Sequence, residues 1–195
     1  VEYMIRMFRL LYRKGSTLQD PDAVADAIEL ARQTLEMPGT QHVPGPTQNR
    51  NRQYRLVTNS FLAEVYLEKT YAAMDADNQE AAAEWRQKAR ARVDEIKNYF
   101  GTTENNVIRK FEGMLALAQD QPDKAIRLLY KAYEESKALD TEGQPSTIDP
   151  VLCMTLARIM KQRDVVGMQR EFLEKAIFNR NRAILQHPEL LLEYA

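Results

Sequence analysis

Apolar residues recur three and four positions apart through most of this chain, and the breaks between such stretches carry Gly, Pro, Asn or Asp. That is the pattern of successive amphipathic helices separated by turns. The spacing predicts a first helix over 2–13 that stops at Gly15 and Ser16. A second begins after Asp20 and Pro21, an N-cap followed by proline at the first helical position, and ends at Met37 before Pro38 and Gly39. Further helices are predicted at about 49–74, 78–100, 103–119, 122–139, 149–162 and 164–186, and another opens at Pro188. Eight helices pair into four hairpins, about 2–37, 49–100, 103–139 and 149–186, and a ninth is left over. Residues 38–48, PGTQHVPGPTQ, hold three of the eight prolines and two of the seven glycines, which marks a hinge or binding loop. No long alternating run suggests a strand, so an all-α chain is expected.

The stretch from Glu112 to Tyr133, EGMLALAQDQPDKAIRLLYKAY, places Gly113, Ala125 and Ala132 at spacings of twelve and seven across a helix break. Glycine inside a helix costs about 1 kcal/mol relative to alanine, and close approach of a second helix supplies a reason for it at Gly113. This small-residue pattern resembles the tetratricopeptide repeat. In the hairpin at 49–100, Leu62, Ala63 and Tyr66 resemble the first-helix pattern, while Ala82 and Ala89 keep the seven-residue step. Ala63 and Ala82 are nineteen apart where twelve is usual, which the extra length of two helical turns would absorb. In the hairpin at 149–186, Leu156, Ala157 and Met160 repeat the pattern and Ala176 closes it. In the first hairpin Ala27, Ile28 and Ala31 fit two registers equally.

Departures from the family are as visible as the match. Its usual Trp is replaced by Asn59, Arg109 and Cys153, the closing Pro is missing from the third hairpin, and the repeats step by 50 and then 44 residues. The resemblance, which covers about 54–188, implies a divergent, lengthened array: an α-solenoid of antiparallel hairpins in a right-handed superhelix. Its concave groove would be lined by the first helix of each pair. Carried over residue by residue, the groove positions are Ser60, Glu64 and Glu68 in the second hairpin, Lys110, Met114 and Leu117 in the third, and Met154, Arg158 and Lys161 in the fourth. Such a groove grades from acidic to basic. Met114 stands where some members have the Asn that helps clamp a terminal carboxylate, so the resemblance does not extend to that clamp.

Composition narrows the function. With 195 residues, 44% hydrophobic and 28% charged, the chain can bury a core, and its formal net charge of −1 gives no bulk field for nucleic acid or an anionic bilayer. No run approaches eighteen apolar residues, so no membrane insertion is expected. The single cysteine, Cys153, leans towards a reducing compartment without excluding a disulfide-free exported protein. The chain lacks an initiator Met and its last residues, PELLLEYA, begin an apolar helix, which reads as a slice of a longer protein. That last helix is expected to dock on the fourth hairpin or to mediate self-association.

No Gly-rich phosphate loop, nucleophile elbow or metal-spaced Cys and His cluster occurs, so no metal, cofactor or catalytic residue is expected. His42, in the Pro-rich loop, and His187, before Pro188, lack an acid or nucleophile nearby in sequence. Cys153 lies among Leu152, Leu156 and Ala157 and reads as a small core hydrophobe. Trp85, Tyr66, Tyr99, Phe100, Tyr130, Tyr133 and Phe172 read as packing residues between hairpins. The motif NRNR occurs at 49–52 and again at 179–182, and Arg86, Lys88, Arg90 and Arg92 crowd one helix. These alternate with Glu84, Asp94 and Glu95, which favours a solvated, salt-bridged face over a nucleic-acid track.

A non-enzymatic interaction module that binds a protein or peptide, in a scaffold or adaptor role, is therefore expected. Two other readings stand beside it. One is a regulatory or substrate-positioning domain of a larger enzyme, and the other is an RNA-binding helical repeat.

Overall fold

The computed structural model describes residues 1–37, 48–101, 105–139 and 148–178, and among them the chain is all helical, with no strand. The eight helices are α1 (Glu2–Leu18), α2 (Pro21–Glu36), α3 (Gln48–Asp75), α4 (Gln79–Phe100), α5 (Asn106–Leu117), α6 (Pro122–Ala138), α7 (Pro150–Gln162) and α8 (Val166–Phe178). Each odd-numbered helix packs chiefly on the even-numbered one that follows it, so the chain is a series of hairpins. None of these helices is long and apolar enough to cross a membrane. The Pro-rich loop with His42, the second NRNR motif, His187 and the helix expected from Pro188 all lie outside the described residues.

Two compact units divide the chain, Val1–Thr103 with α1 to α4 and Glu104–Ala195 with α5 to α8. In the first unit, α3 also packs against α2 and α1. The contact centres on aromatic rings: Phe8 lies 4.6 Å from Phe61, and Tyr12 meets Phe61 edge-on at 5.4 Å. Leu62, Leu67, Val93 and Ile96 of the same unit are fully buried.

Gly15 corrects the expected end of the first helix. α1 runs past it to Leu18, and Gly15 is buried against α2, where an added Cβ would meet Val24 Cγ2 at 2.6 Å and the Val24 nitrogen at 2.8 Å. It is a close-approach glycine, not a helix stop. Asp20 caps α2 as expected, its carboxylate accepting from the Asp22 and Ala23 amides at 3.1 Å.

In the second unit, Gly113 serves the purpose its sequence suggests. A Cβ there would lie 2.6 Å from Leu129 Cγ, so α5 and α6 touch where neither has room for more. Tyr133 on α6 meets Phe172 on α8 at 5.4 Å with rings perpendicular, which ties two hairpins together. The Tyr66–Trp85 stack, by contrast, lies within the α3–α4 hairpin.

All four hairpin turns are built alike. Gln19, Asp77, Asp120 and Asp164 each adopt the left-handed conformation, with φ of 51°, 54°, 55° and 57°. The amide of the next residue then bonds five residues back, Asp20 to Gly15 and Asn78 to Ala73 at 2.8 Å, Gln121 to Ala116 and Val165 to Met160 at 2.9 Å. This is the Schellman closure, which satisfies a carbonyl the ending helix would otherwise leave open.

Set in register by these turns, Ala31, Ala89, Ala132 and Ala176 each stand twelve residues beyond the left-handed residue, and all four are completely buried. The same register gives the place of Gly113 to Thr70, not Ala63. Thr70 is fully buried, turns its hydroxyl onto the Tyr66 carbonyl at 2.8 Å, and stands the usual twelve residues before Ala82. The apparent lengthening between the small positions was a misalignment by two helical turns. The architecture is thus all-α and repeat-like.

Candidate partner-binding surfaces

On α3, between Thr58 and Tyr71, only Ser60, Glu64, Glu68 and Lys69 escape burial. The first three are the expected positions, spaced four apart on one face, and the two-turn error in register left that face unchanged. Glu68 is engaged, because the Tyr12 hydroxyl donates to its carboxylate.

The expectation for α5 needs correcting. Lys110, Met114 and Leu117 are buried, with Met114 only 1% exposed. Between Ile108 and Ala118 only Arg109 and Glu112 are not buried. A helix apolar around most of its circumference is largely enclosed, and NVIRKFEGMLAL is such a helix. The Lys110 ammonium meets the Asp149 carboxylate at 2.6 Å, while the other Asp149 oxygen caps α7 through the Val151 amide at 2.8 Å. Arg109 pairs with Glu135 of α6. These charges hold helices together inside the second unit.

On α7 the expected positions are the exposed ones. Val151, Leu152, Cys153, Thr155, Leu156, Ala157, Ile159 and Met160 are buried, which leaves Met154 and Arg158 half-buried and Lys161 exposed along one stripe. Burial, with the Asp149 charge adding to it, pushes the Cys153 thiol up to about 12, in keeping with its core reading. Close by, Lys175 donates to both Glu171 and Tyr133; those bonds outweigh burial and raise its ammonium above the usual lysine range.

The basic residues of α4 are salt-bridged in part. Lys88 meets Glu84 at 2.5 Å, Arg55 of α3 meets Glu95 at 2.9 Å, and Arg92 donates to the buried Asn59 at 3.3 Å. In the first NRNR motif, Arg52 donates to the Tyr99 carbonyl at 2.9 Å and lies over the Tyr99 ring. Sequence reasoning missed that Lys88 and Lys69 both sit over Trp85, at 4.2 and 5.2 Å from the ring centroid. The four-residue step from Lys88 to Arg92 was legible, but the approach of a lysine from another helix leaves no local signal.

No protein-family model matches this chain, and neither does any curated protein or solved structure.

Proposed function

We propose that this chain is a protein-interaction module, a tetratricopeptide-like array of hairpins that holds another polypeptide along the accessible stripes of its first helices. The observation that supports it most is α7, where between Val151 and Lys161 only Met154, Arg158 and Lys161 escape burial. An apolar side chain followed by two cations one turn apart suits an extended or helical acidic segment with an apolar anchor. The α3 stripe, with Glu64 and Glu68, has the opposite character and suits a basic one.

Selection from a displayed peptide library with the wild-type protein is expected to enrich acidic sequences with an apolar residue. Arg158→Glu combined with Lys161→Glu is expected to abolish that enrichment and leave the melting temperature nearly unchanged, with Lys161→Glu alone giving a partial loss. Enrichment of the same peptides by the double variant would move the site off α7.

A further inference from the structure

The Tyr66–Trp85 pair of the first unit is surrounded by cations drawn from three helices. The rings stack with centroids 5.7 Å apart and planes 29° from parallel. The Lys88 and Lys69 ammoniums lie over Trp85, and Arg92, one turn beyond Lys88 on α4, reaches Asn59 of α3. At the Tyr66 hydroxyl, burial raises the proton affinity, while Arg32 of α2, Arg92 and Lys88 act to lower it and Glu29 adds slightly to the rise. Three cations thus act on one phenol, and Lys69 joins them at the neighbouring Trp85 ring.

Two carboxylates are at hand, Glu29 beside Arg32 at 3.4 Å and Glu84 beside Lys88 at 2.5 Å. Both pairs are formed within a helix and are well exposed, with the Arg32 and Glu29 side chains 63% and 55% accessible. Exposed pairs of this kind hold their partners weakly, so a stronger anion can take the cations over. With Lys69 counted, the four cations exceed these two carboxylates by about two positive charges, which matches the charge of roughly −1.5 to −2 on a phosphorylated side chain at neutral pH.

We propose that this cluster is a docking point for a phosphorylated side chain of a partner polypeptide, with Arg32, Lys88 and Arg92 as the anion's donors. It is formed largely by α2 and α4, the second helices of their hairpins, and so is independent of the first-helix stripes discussed above. A nucleic-acid strand fits less well. Its recognition needs a line of cations at successive phosphates and an open ring face for base stacking. Here the positive charge is a single cluster, and the Trp85 ring already carries a tyrosine and two ammoniums.

Trp85 is the only tryptophan in the chain, so its fluorescence reports on this site alone. A short Gly/Ser-rich peptide carrying one phosphoserine is the probe, with its unphosphorylated form, inorganic phosphate and a single-stranded oligonucleotide as the other arms. The phosphopeptide is expected to change the emission saturably, and increasingly weakly as salt is raised, while the unphosphorylated peptide gives no saturable change. Arg32→Gln and Lys88→Gln, both at exposed side chains, are each expected to weaken binding roughly tenfold, the loss of one charge-assisted contact, with helical circular dichroism unchanged. Arg32→Gln leaves the Trp85 ring contacts intact, so its effect cannot be a change in baseline emission. Equal binding of both peptides, or wild-type affinity in both variants, overturns the proposal. Saturation by inorganic phosphate at the concentrations the phosphopeptide needs, or tighter binding of the oligonucleotide, overturns its polypeptide source.

Discussion

Gly15, in the polar stretch RKGST, and Gly113, in the apolar FEGMLAL, both lie within helices at close approaches, but what surrounds them differs. At Gly113 the nearest obstacles to a methyl group are Leu129 side-chain atoms, with the Ala125 carbonyl farther off at 3.3 Å. At Gly15 they include the Val24 nitrogen at 2.8 Å and the Asp20 carbonyl at 2.9 Å, backbone that can yield only if the turn itself moves. Alanine would gain about 1 kcal/mol of helix propensity at either site, and overpacking costs roughly 1 to 3 kcal/mol. Both Gly→Ala variants are therefore expected to be destabilised in urea titrations, Gly15→Ala the more so; a more stable Gly15→Ala variant would show that α1 and α2 do not touch there. Cys153 makes a second residue-scale prediction. Its contribution to stability is whole below the ordinary thiol value of 9.0 and is lost as pH rises towards about 12, because the unfolded chain ionises its thiol first. The folded protein is expected to resist a disulfide thiol reagent at pH 8 and the denatured protein to react at once. Rapid labelling of the native state would contradict the buried, protonated thiol.

At the scale of helices, most of the fold could be read from the chain. Aspartate N-caps followed by proline located α2 and α7 closely, and proline at the first helical position located α6. The turns were located, but their left-handed closure was not legible. The residues that adopt it are Gln19, Asp77, Asp120 and Asp164, none of them glycine, so the glycine that usually marks such a closure was missing. That absence also hid the register: small side chains point to Ala63, although the turn places the fully buried Thr70 at that position. Accessible positions of the candidate site were legible on α3 and α7, and not on α5, where a lysine was taken for a surface residue. Lys110 is buried because Asp149 of α7 reaches it, a pairing across 39 positions that periodicity cannot foresee. The same pair makes a prediction. Asp149→Asn keeps a good cap for α7 but removes the carboxylate charge paired with the buried ammonium, and is expected to cost roughly 1 to 3 kcal/mol, moderated by the partial exposure of Asp149. Lys110→Met removes the buried charge itself and is expected to cost less than about 1 kcal/mol. The reverse order in thermal melts would mean that Lys110 contributes through its stem and not through its charge.

For the molecule as a whole, the division into two units bears on how the repeats are stabilised. In an array whose hairpins bury their apolar faces only against neighbours, stability accumulates hairpin by hairpin and a single pair of hairpins is marginal. Each unit here, however, has a core that joins its two hairpins. In the first, Phe8 and Tyr12 of α1 close on Phe61 of α3. In the second, Tyr133 of α6 closes on Phe172 of α8, the Lys110–Asp149 pair joins α5 to the start of α7, and Arg163 after α7 meets Asp123 at the start of α6. Units of about a hundred residues bury enough of their surface to fold alone in many proteins, whereas single hairpins of half that length or less seldom do. Residues 1–103 and 104–195, expressed separately, are therefore each expected to give a helical circular dichroism spectrum and a cooperative denaturant transition. Phe61→Ala should lower the midpoint of the first fragment, and Phe172→Ala that of the second, by the equivalent of roughly 3 to 5 kcal/mol, the usual cost of emptying an aromatic site. A fragment that is helical but melts without a sigmoidal transition would mean that its two hairpins do not share one core, and that cooperativity in this chain needs more than two hairpins at a time.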